Sequence, residues 1–449
     1  MPTHQPGPSE AFLVRSWHVQ SRRRWRKLIE IIVLVSLAAL AGAILFRFGQ
    51  NTRVAEIRYV WVQMMPDERG GGRLLRAVLI GGDHCPTIKE DDTMVVMQRR
   101  APPARVAFPV LLCEAVIREN SKAWINSRVL PARPSEPNDI VVIGDTGCRV
   151  TYYSQDQSCL DENEWPFKKN ASNAAEKASG NSFVLHLGDF HYREHPCADS
   201  SSRCGGSPYG DNWQTWETEF FEPARQLLLA APWVMMRGNH EDCNRAGAGW
   251  LFFFGFPAQP NNNKACEDDL ATYTIRIGQT EGDERRPRSL VVMDTSNDKS
   301  PYGRETRNRE YLKSLKFLDN DASEIWLALH QPLWLRNMNG FQNGNRTWAG
   351  EVCVNLGEEE SLPDIRKKFE ADQTRRLARL VLSGDTHAFQ FFRPKSSSMP
   401  IQLVAGNGGT QLDKLLELAK PDATCPEKGE DGKVRIEARK SSRPAWRRV

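Results

Sequence analysis

Five short polar motifs stand in order along this chain, most of them directly behind an apolar run. They read GDTG at 144–147, GDFHY at 188–192, GNHE at 238–241, LALHQP at 327–332 and GDTH at 384–387. VVI precedes Asp145, FVLHL precedes Asp189, PWVMM precedes Asn239, IWLAL precedes His330 and LARLVLS precedes Asp385. These runs read as strands. A strand holds its backbone rigidly, so a side chain just past its carboxyl end is fixed in space. Strands that end in Asp, Asn or His therefore converge oxygen and nitrogen ligands on one point, the way a cluster of hard or borderline cations is held.

At 449 residues the chain exceeds one typical core, so two domains plus extensions are expected. The net charge of +4 is small and says little about partners. The basic residues are uneven, however. Arg22, Arg23, Arg24, Arg26 and Lys27 precede an apolar run over 28–46 that only Glu30 interrupts. Its length is near the minimum for spanning a bilayer. The positive side stays in the cytoplasm, so everything after Phe46 is expected to be translocated. Two readings stay open. The long leader favours an uncleaved anchor; Ala39-Leu40-Ala41 and Ala41-Gly42-Ala43 would serve a cleaved signal peptide. Residues 21–27 also resemble a twin-arginine export signal, with Trp25 and Arg26 where Phe and Leu are usual.

All ten cysteines lie after the apolar run, and an even count in a translocated chain points to disulfides. Near neighbours offer the simplest pairing: Cys85–Cys113, Cys148–Cys159, Cys197–Cys204 and Cys243–Cys266, with Cys353 and Cys425 left for each other. No CxxC pair exists, so a zinc ribbon has no support.

Alternation over 54–80, then MVVMQRR at 94–100 and VAFPVLLCEAVI at 106–117, reads as a small β-sandwich or sheet. The Pro-rich stretch 131–138 reads as a linker. Beyond it strands alternate with helical stretches, among them 173–179 and 213–229, the latter with Trp216, Phe220, Ala224, Leu227 and Leu228 at helical spacing. The polar, glycine-rich stretch 193–213 is expected to be a loop over the site, where it would select substrate. Trp250, Phe252, Phe253, Phe254 and Phe256 read as packed core, with an apolar rim of the substrate pocket as the other reading. The expected division is a basic leader 1–27, the membrane or signal segment 28–46, a β-rich accessory domain with linker 47–138, a catalytic domain 139–421 and a basic tail 422–449.

The ordered motifs resemble the calcineurin-like metallophosphoesterases, and most closely their purple acid phosphatase branch, which reads GDxG, GDxxY, GNH, a lone His and GHxH. The match covers residues 139–412, and VAGNGGT at 404–410 is similar to the glycine turn that closes such domains. The resemblance implies a four-layer αββα sandwich with two metal ions. It gives Asp189 the bridging role, Asp145, Tyr192 and His387 the first metal, and Asn239 and His330 the second. A phenolate at Tyr192 favours trivalent iron in the first site. Asp385 departs from the pattern, which has His there as a ligand to the second metal. A carboxylate also coordinates, but it is harder and adds a negative charge, shifting preference toward Mn²⁺, Fe or Ca²⁺ and away from Zn²⁺. A similar GDxH occurs in the alkaline phosphatase D type enzymes, which use iron with calcium.

His240 matches the position that contacts the scissile phosphate beside Asn239 and protonates the leaving group, a role that suits imidazole. His191 and His195 are further substrate-binding candidates on the adjacent loop. His186 reads as a core or supporting histidine, and Asp294 as either the orienter of a ligand histidine or a cap. Asn170 and Asn345 sit in glycosylation sequons.

These readings imply a metal-dependent phosphoric ester hydrolase, acid phosphatase- or phosphodiesterase-like. It would hydrolyse phosphate mono- or diesters by attack of a metal-bound hydroxide, in the cell envelope or outside the cell. Its cofactors would be iron together with manganese, iron, calcium or zinc. Its partners would be the phosphate ester and, through the N-terminal segment, a membrane; nothing points to nucleic acid or a protein. The protein would be anchored facing the periplasm or extracellular side, or exported. The rival reading is a non-catalytic envelope protein that keeps the fold and binds anionic polymer or lipid, with Lys433, Arg435, Arg439, Lys440, Arg443, Arg447 and Arg448 in its tail.

Overall fold

The computed structural model describes residues 25–40, 55–101, 103, 107–150, 156–197, 203–256, 266–267, 270–280, 285–297, 323–333, 378–392, 400–412, 424–426 and 433–435. Two units separate, Met1–Ala55 and Glu56–Val449. In the first, residues 25–40 form helix α1, on which Leu28, Ile32, Leu34 and Leu37 are all exposed. Among the described residues no helix is long and apolar enough to cross a membrane. The leader 1–24 and the end of the apolar run, 41–46, lie outside the described residues.

The second unit opens with eight strands: β1 (Glu56–Met64), β2 (Arg73–Ile80), β3 (Thr87–Glu90), β4 (Thr93–Val96), β5 (Gln98–Ala101), β6 (Leu111–Ile117), β7 (Ala123–Ile125) and β8 (Arg128–Val129). β9 (Asp139–Ile143), β10 (Ser182–His186) and β11 (Trp233–Met235) then join β1, β2, β5 and β6 in one sheet of order β5-β6-β2-β1-β11-β10-β9. The expected accessory domain over 47–138 is therefore divided. β1 pairs in parallel with β11 through Gln63 and Trp233, so four of its strands extend the catalytic sheet. The other four form a small sheet, β4-β3-β7-β8. The stretch 131–138 is no free linker either, because buried Arg133 donates to the carbonyl of Arg276.

A second sheet has the order β12-β13-β14-β15-β17-β16, from β12 (Tyr273–Gln279), β13 (Pro287–Val292), β14 (Glu324–Ala328), β15 (Leu380–Ser383), β16 (Phe389–Phe392) and β17 (Ile401–Ala405). The period-2 alternation of side chains shows how the layers stack. Ile140, Val142, Phe183, Leu185 and Val234 of the first sheet share one core with Ile275, Leu290, Val292, Ala328 and Leu382 of the second. Their neighbours Val141, Ile143, Val184, Trp233 and Met235 point the other way, onto helices. Those helices are α2 (Phe167–Lys177), α3 (Trp213–Trp216), a π-helical turn (Glu217–Phe221), α4 (Glu222–Leu228) and α5 (Gly247–Phe253). Three of the expected four layers lie among the described residues.

Phe253 and Phe254 are fully buried, and Phe254 meets Trp61, Phe190, Trp216, Phe220 and Phe221. The aromatic stretch is packed core, as its hydrophobicity dictates. Asn170 is buried in α2 and donates to the carbonyl of Gly408, so it has no room for a glycan. Asn345 lies outside the described residues. Disulfides join Cys85–Cys113, Cys148–Cys159, Cys197–Cys204 and Cys243–Cys266. Cys353 lies outside the described residues, and with it the fifth expected pair.

Phe254→Ala should cost about 3–5 kcal/mol, the usual penalty for emptying a buried aromatic site. It should leave KM for small esters unchanged. A urea midpoint shifted at constant slope checks the first part, and an altered KM with a native midpoint would restore the rim reading.

Candidate metal centre

The loops leaving β9, β10 and β11 in one sheet and β14 and β15 in the other bring the five motifs to one seam. The first sheet delivers Asp145, Asp189, Tyr192, Asn239 and His240; the second delivers His330, Asp385 and His387. Asp145, Asp189 and Asp385 have φ of +55°, +58° and +61°. That is half of the six positive-φ non-glycine positions among the described residues. Asp tolerates this conformation better than most residues, and strained backbone gathers where a side chain must be aimed. Glycine is needed beside them for space: a Cβ on Gly238 would collide with Asp189 Oδ1, and one on Gly384 would lie 2.5 Å from Asp145 Oδ2.

The donors fall into two sets that share Asp189. On one side Tyr192 Oη lies 2.6 Å from Asp189 Oδ2, 3.1 Å from Asp145 Oδ1 and 2.9 Å from His387 Nε2. On the other, His330 Nε2 lies 3.2 Å from Asp189 Oδ1, 3.1 Å from Asn239 Oδ1 and 3.7 Å from Asp385 Oδ1. Asp385 therefore faces inward. One phenolic proton cannot satisfy three acceptors around it. Cations fit this donor set: carboxylate oxygens, a phenol, an amide oxygen and two imidazoles, converging where buried negative charge needs compensation. Asp145, Asp189 and His330 alone place one ligand atom each within 4.8 Å of one another.

Protonation follows the same charges. Burial, then the charge of Asp189, pushes Asp145 up to about 7. Burial opposes charge on His330, but Asp189, Asp145 and Asp385 outweigh it and lift His330 to about 10. Burial and the same carboxylates push Tyr192 well above the ordinary phenol range.

Two carboxylates that no motif assigned hold the loops. Glu241, the last residue of GNHE, accepts from the backbone amides of Gly238, Asp189, Phe190 and His191 at 2.8–3.0 Å. Glu219, in the π turn, accepts from Cys148 and Tyr192 at 2.8 and 2.9 Å. A π turn of this kind shifts a side chain out of the helical repeat and recurs at functional sites. The glycine turn closes on the first motif, with Gly409 and Thr410 donating to the carbonyl of Asp145.

His240 is held by a third such carboxylate. Its Nδ1 lies 2.7 Å from Glu194 Oε1, and its ring packs on Tyr192 at 4.0 Å. A carboxylate only accepts, so Nδ1 carries the hydrogen and Nε2, 4.0 Å from Asp189 Oδ2, faces the cluster. Arg245 lies 3.6 Å from the same Glu194 oxygen. His191 is placed elsewhere: it is buried, with Nε2 3.1 Å from the carbonyl of Gly210 and its ring near Trp216. His195 is half-buried on the same loop. His186 is a satisfied core histidine between Thr146 and Gly188, stacked on Phe190. Asp294 binds Arg237 and caps Ser296 instead of orienting a histidine; the amide of His330 donates to neighbouring Thr295.

The family model of the calcineurin-like phosphoesterases matches residues 139–389. A purple acid phosphatase, PPD1, from yellow lupin (Lupinus luteus) seeds has a similar structure, with 12% identity, a TM-score of 0.45, and coverage of 85% of this chain and 68% of that one. A structure of PhoD shows 11% identity and a TM-score of 0.44 over 77% of this chain and 76% of that one. No curated protein matches the sequence.

Metal loading should release protons. His330 and Tyr192 each hold one at neutral pH and Asp145, at about 7, about half of one, so uptake at pH 7 should free roughly two to three. Affinity should fall as pH drops. Calorimetry of metal uptake in buffers of different ionisation enthalpy reads the proton count; a count of zero would mean the cluster is not where metal binds.

Proposed function

We propose that this chain, which belongs to the calcineurin-like phosphoesterase family, is a phosphoester hydrolase with a dinuclear metal centre. One observation carries the dinuclear reading: Asp189 turns Oδ2 to the Tyr192 set and Oδ1 to the His330 set. Asp145, Tyr192 and His387 would hold one cation, Asn239, His330 and Asp385 the other, with Asp189 between them. When bound, such a pair neutralises the phosphoryl oxygens and acidifies the attacking water.

The chain's own residues then have distinct tasks. His240 presents Nε2 toward the cluster, where it would contact the phosphate and give its proton to the departing oxygen. Glu194 fixes the ring plane that this requires and, by accepting from Nδ1–H, supports the imidazolium form, the one that carries a proton on Nε2. Tyr192 supports the ring from beneath. His195 remains a substrate-side candidate on the same loop, whereas the contacts of His191 favour a supporting role. The hard oxygen of Asp385 favours iron with manganese, iron or calcium over zinc in the second position. Mono- and diesters both suit this machinery. The complete ligand and acid set weighs against a purely binding protein.

Four disulfides support an oxidising compartment outside the cytoplasm. With the basic cluster before 28–46 they favour an envelope enzyme, anchored by that segment or exported after its removal.

Purified protein should contain two metal ions per chain and hydrolyse an aryl phosphate. Asp189→Ala should lose both metals and essentially all turnover; full activity at equal metal content sinks the assignment. Asp385→His should keep activity and move the metal preference toward Zn²⁺, while Asp385→Ala should lose one ion of the two. Unchanged stoichiometry in Asp385→Ala would remove Asp385 from the ligand set.

Glu194→Gln should retain both metals and lower kcat by roughly 10- to 100-fold, the range for a lost orienting partner. The loss should shrink for esters whose leaving groups need no proton. An equal loss for every leaving group would mean that Glu194 serves binding instead.

A further inference from the structure

The small sheet β4-β3-β7-β8 turns one face to solvent, and that face is apolar. Register decides which side chains share it. Lys89 pairs with Met94 and with Trp124, and Trp124 pairs with Val129, so these four make one row across all four strands. Val96, opposite Thr87, adds a second row on the same side. The opposite face carries Ile88 and Ile125, which are buried. Met94, Val96 and Val129 are 64%, 67% and 64% exposed. A sheet face that meets water usually carries polar side chains. Aliphatics in adjacent rows make a patch, which marks a contact surface more than single exposed residues do. The Lys89 ammonium lies 5.5 Å over the Trp124 ring. That pair suits a bilayer interface, where an indole sits among headgroups and an ammonium reaches water.

The path of the chain supplies the occupant. Residues 41–55 separate α1 from β1, and fifteen residues reach at most about 50 Å when fully extended. Glu56 at the start of β1 pairs with Ile80 at the end of β2, and residues 81–86 lead from there to Thr87 of the small sheet. We infer that the Met94–Lys89–Trp124–Val129 face rests on the bilayer that carries α1. This rests on the membrane attachment proposed above. Tethering makes the bilayer concentration at this face high, so a small apolar patch suffices where it would fail for a free protein. Asp91 in the β3–β4 turn is bonded to Arg118 at 3.0 Å, which offsets one of the two carboxylates of that turn.

The test uses full-length protein in phosphatidylcholine vesicles, with and without brominated acyl chains. Brominated lipid should quench a component of tryptophan emission that Trp124→Phe lacks. The pair Met94→Glu/Val129→Glu should abolish that component, and the milder pair Met94→Gln/Val129→Thr should reduce it. Hydrolysis of a soluble aryl phosphate should stay at the wild-type rate in all of these variants, showing that they fold. Equal quenching in wild type, Trp124→Phe and Met94→Glu/Val129→Glu overturns the docking and leaves the anchor standing. Failure of the wild type to float with vesicles overturns the anchor and the docking with it. A detergent-solubilised dimer that Met94→Glu/Val129→Glu splits, with no Trp124 quenching, assigns the face to a second copy instead and overturns the bilayer contact.

Discussion

Buried negative charge at the seam of two sheets governs this structure. Asp145 and Asp189 are almost wholly shielded from solvent, and Tyr192 is packed between them. Carboxylates in so dry a place are costly unless charge and hydrogen bonds compensate. The fold accordingly spends its stability on holding them there. Parallel strands from both sheets end at the same edge, left-handed backbone re-aims each Asp, and glycine leaves room where two loops would otherwise collide. Burial and Asp189 raise Asp145, and the neighbouring carboxylates raise His330 against burial, so each favours its protonated form.

Compensation continues outward through backbone amides. Four N–H groups from two motifs converge on the carboxylate of Glu241, and two more, from Cys148 and from Tyr192 of the same GDFHY loop, converge on Glu219. Each such carboxylate fixes loops that are distant in sequence, because an unmet amide or carboxylate in the interior costs more than the bond returns. Buried arginine side chains do the converse job in the helix-covered core. Arg76 donates to the carbonyls of Phe253 and Gly255, and Arg100 to those of Leu251, Phe252 and Gly255. These bonds tie the carboxyl end of α5 to β2 and β5. The aromatic core and the catalytic loops are therefore one mechanical unit.

The residues that gather at the seam were legible because their signal is local: a strand, a glycine and a polar residue within a few positions. The four described disulfides were legible for the same reason. What escaped was non-local. Glu219 lies 71 residues from Cys148 and 27 from Tyr192, and nothing around it signals an acceptor for their amides. Glu194 reads as one more loop charge until His240 is placed 46 residues away. The accessory-domain boundary failed because β1 joins β11 across a long separation in sequence, and the alternation in β1 and β2 looked half-exposed. In fact Gln63 and Arg76 are buried and bond to each other at 2.6 Å, so polar residues there mark a satisfied interior, not a wet face. His191 illustrates the limit of adjacency: one residue before Tyr192, its ring lies against Gly210 and Trp216.

Asp385 shows how one substitution redistributes these forces. With Asp145, Asp189, Asp385 and an ionised Tyr192, the donors carry four negative charges; with His at 385 they would carry three. Under the proposed reading, a trivalent and a divalent cation would together bring five positive charges. Facing a phosphate ester, such a centre would be left with one net positive charge instead of two. That weakens attraction of the anion and the polarisation of its oxygens. It also relaxes the competition for protons, because each cation sees more anionic oxygen and less of its charge remains uncompensated. The lost attraction has to be recovered by groups that carry positive charge or donate hydrogen bonds at the mouth of the site. Half-buried His240 and exposed Arg245 both gather around Glu194 and stand where such compensation would be needed. In the proposed centre, the departure at Asp385 and the carboxylate at Glu194 would be two parts of one electrostatic arrangement: charge lowered at the metals and compensated by His240 and Arg245 around Glu194.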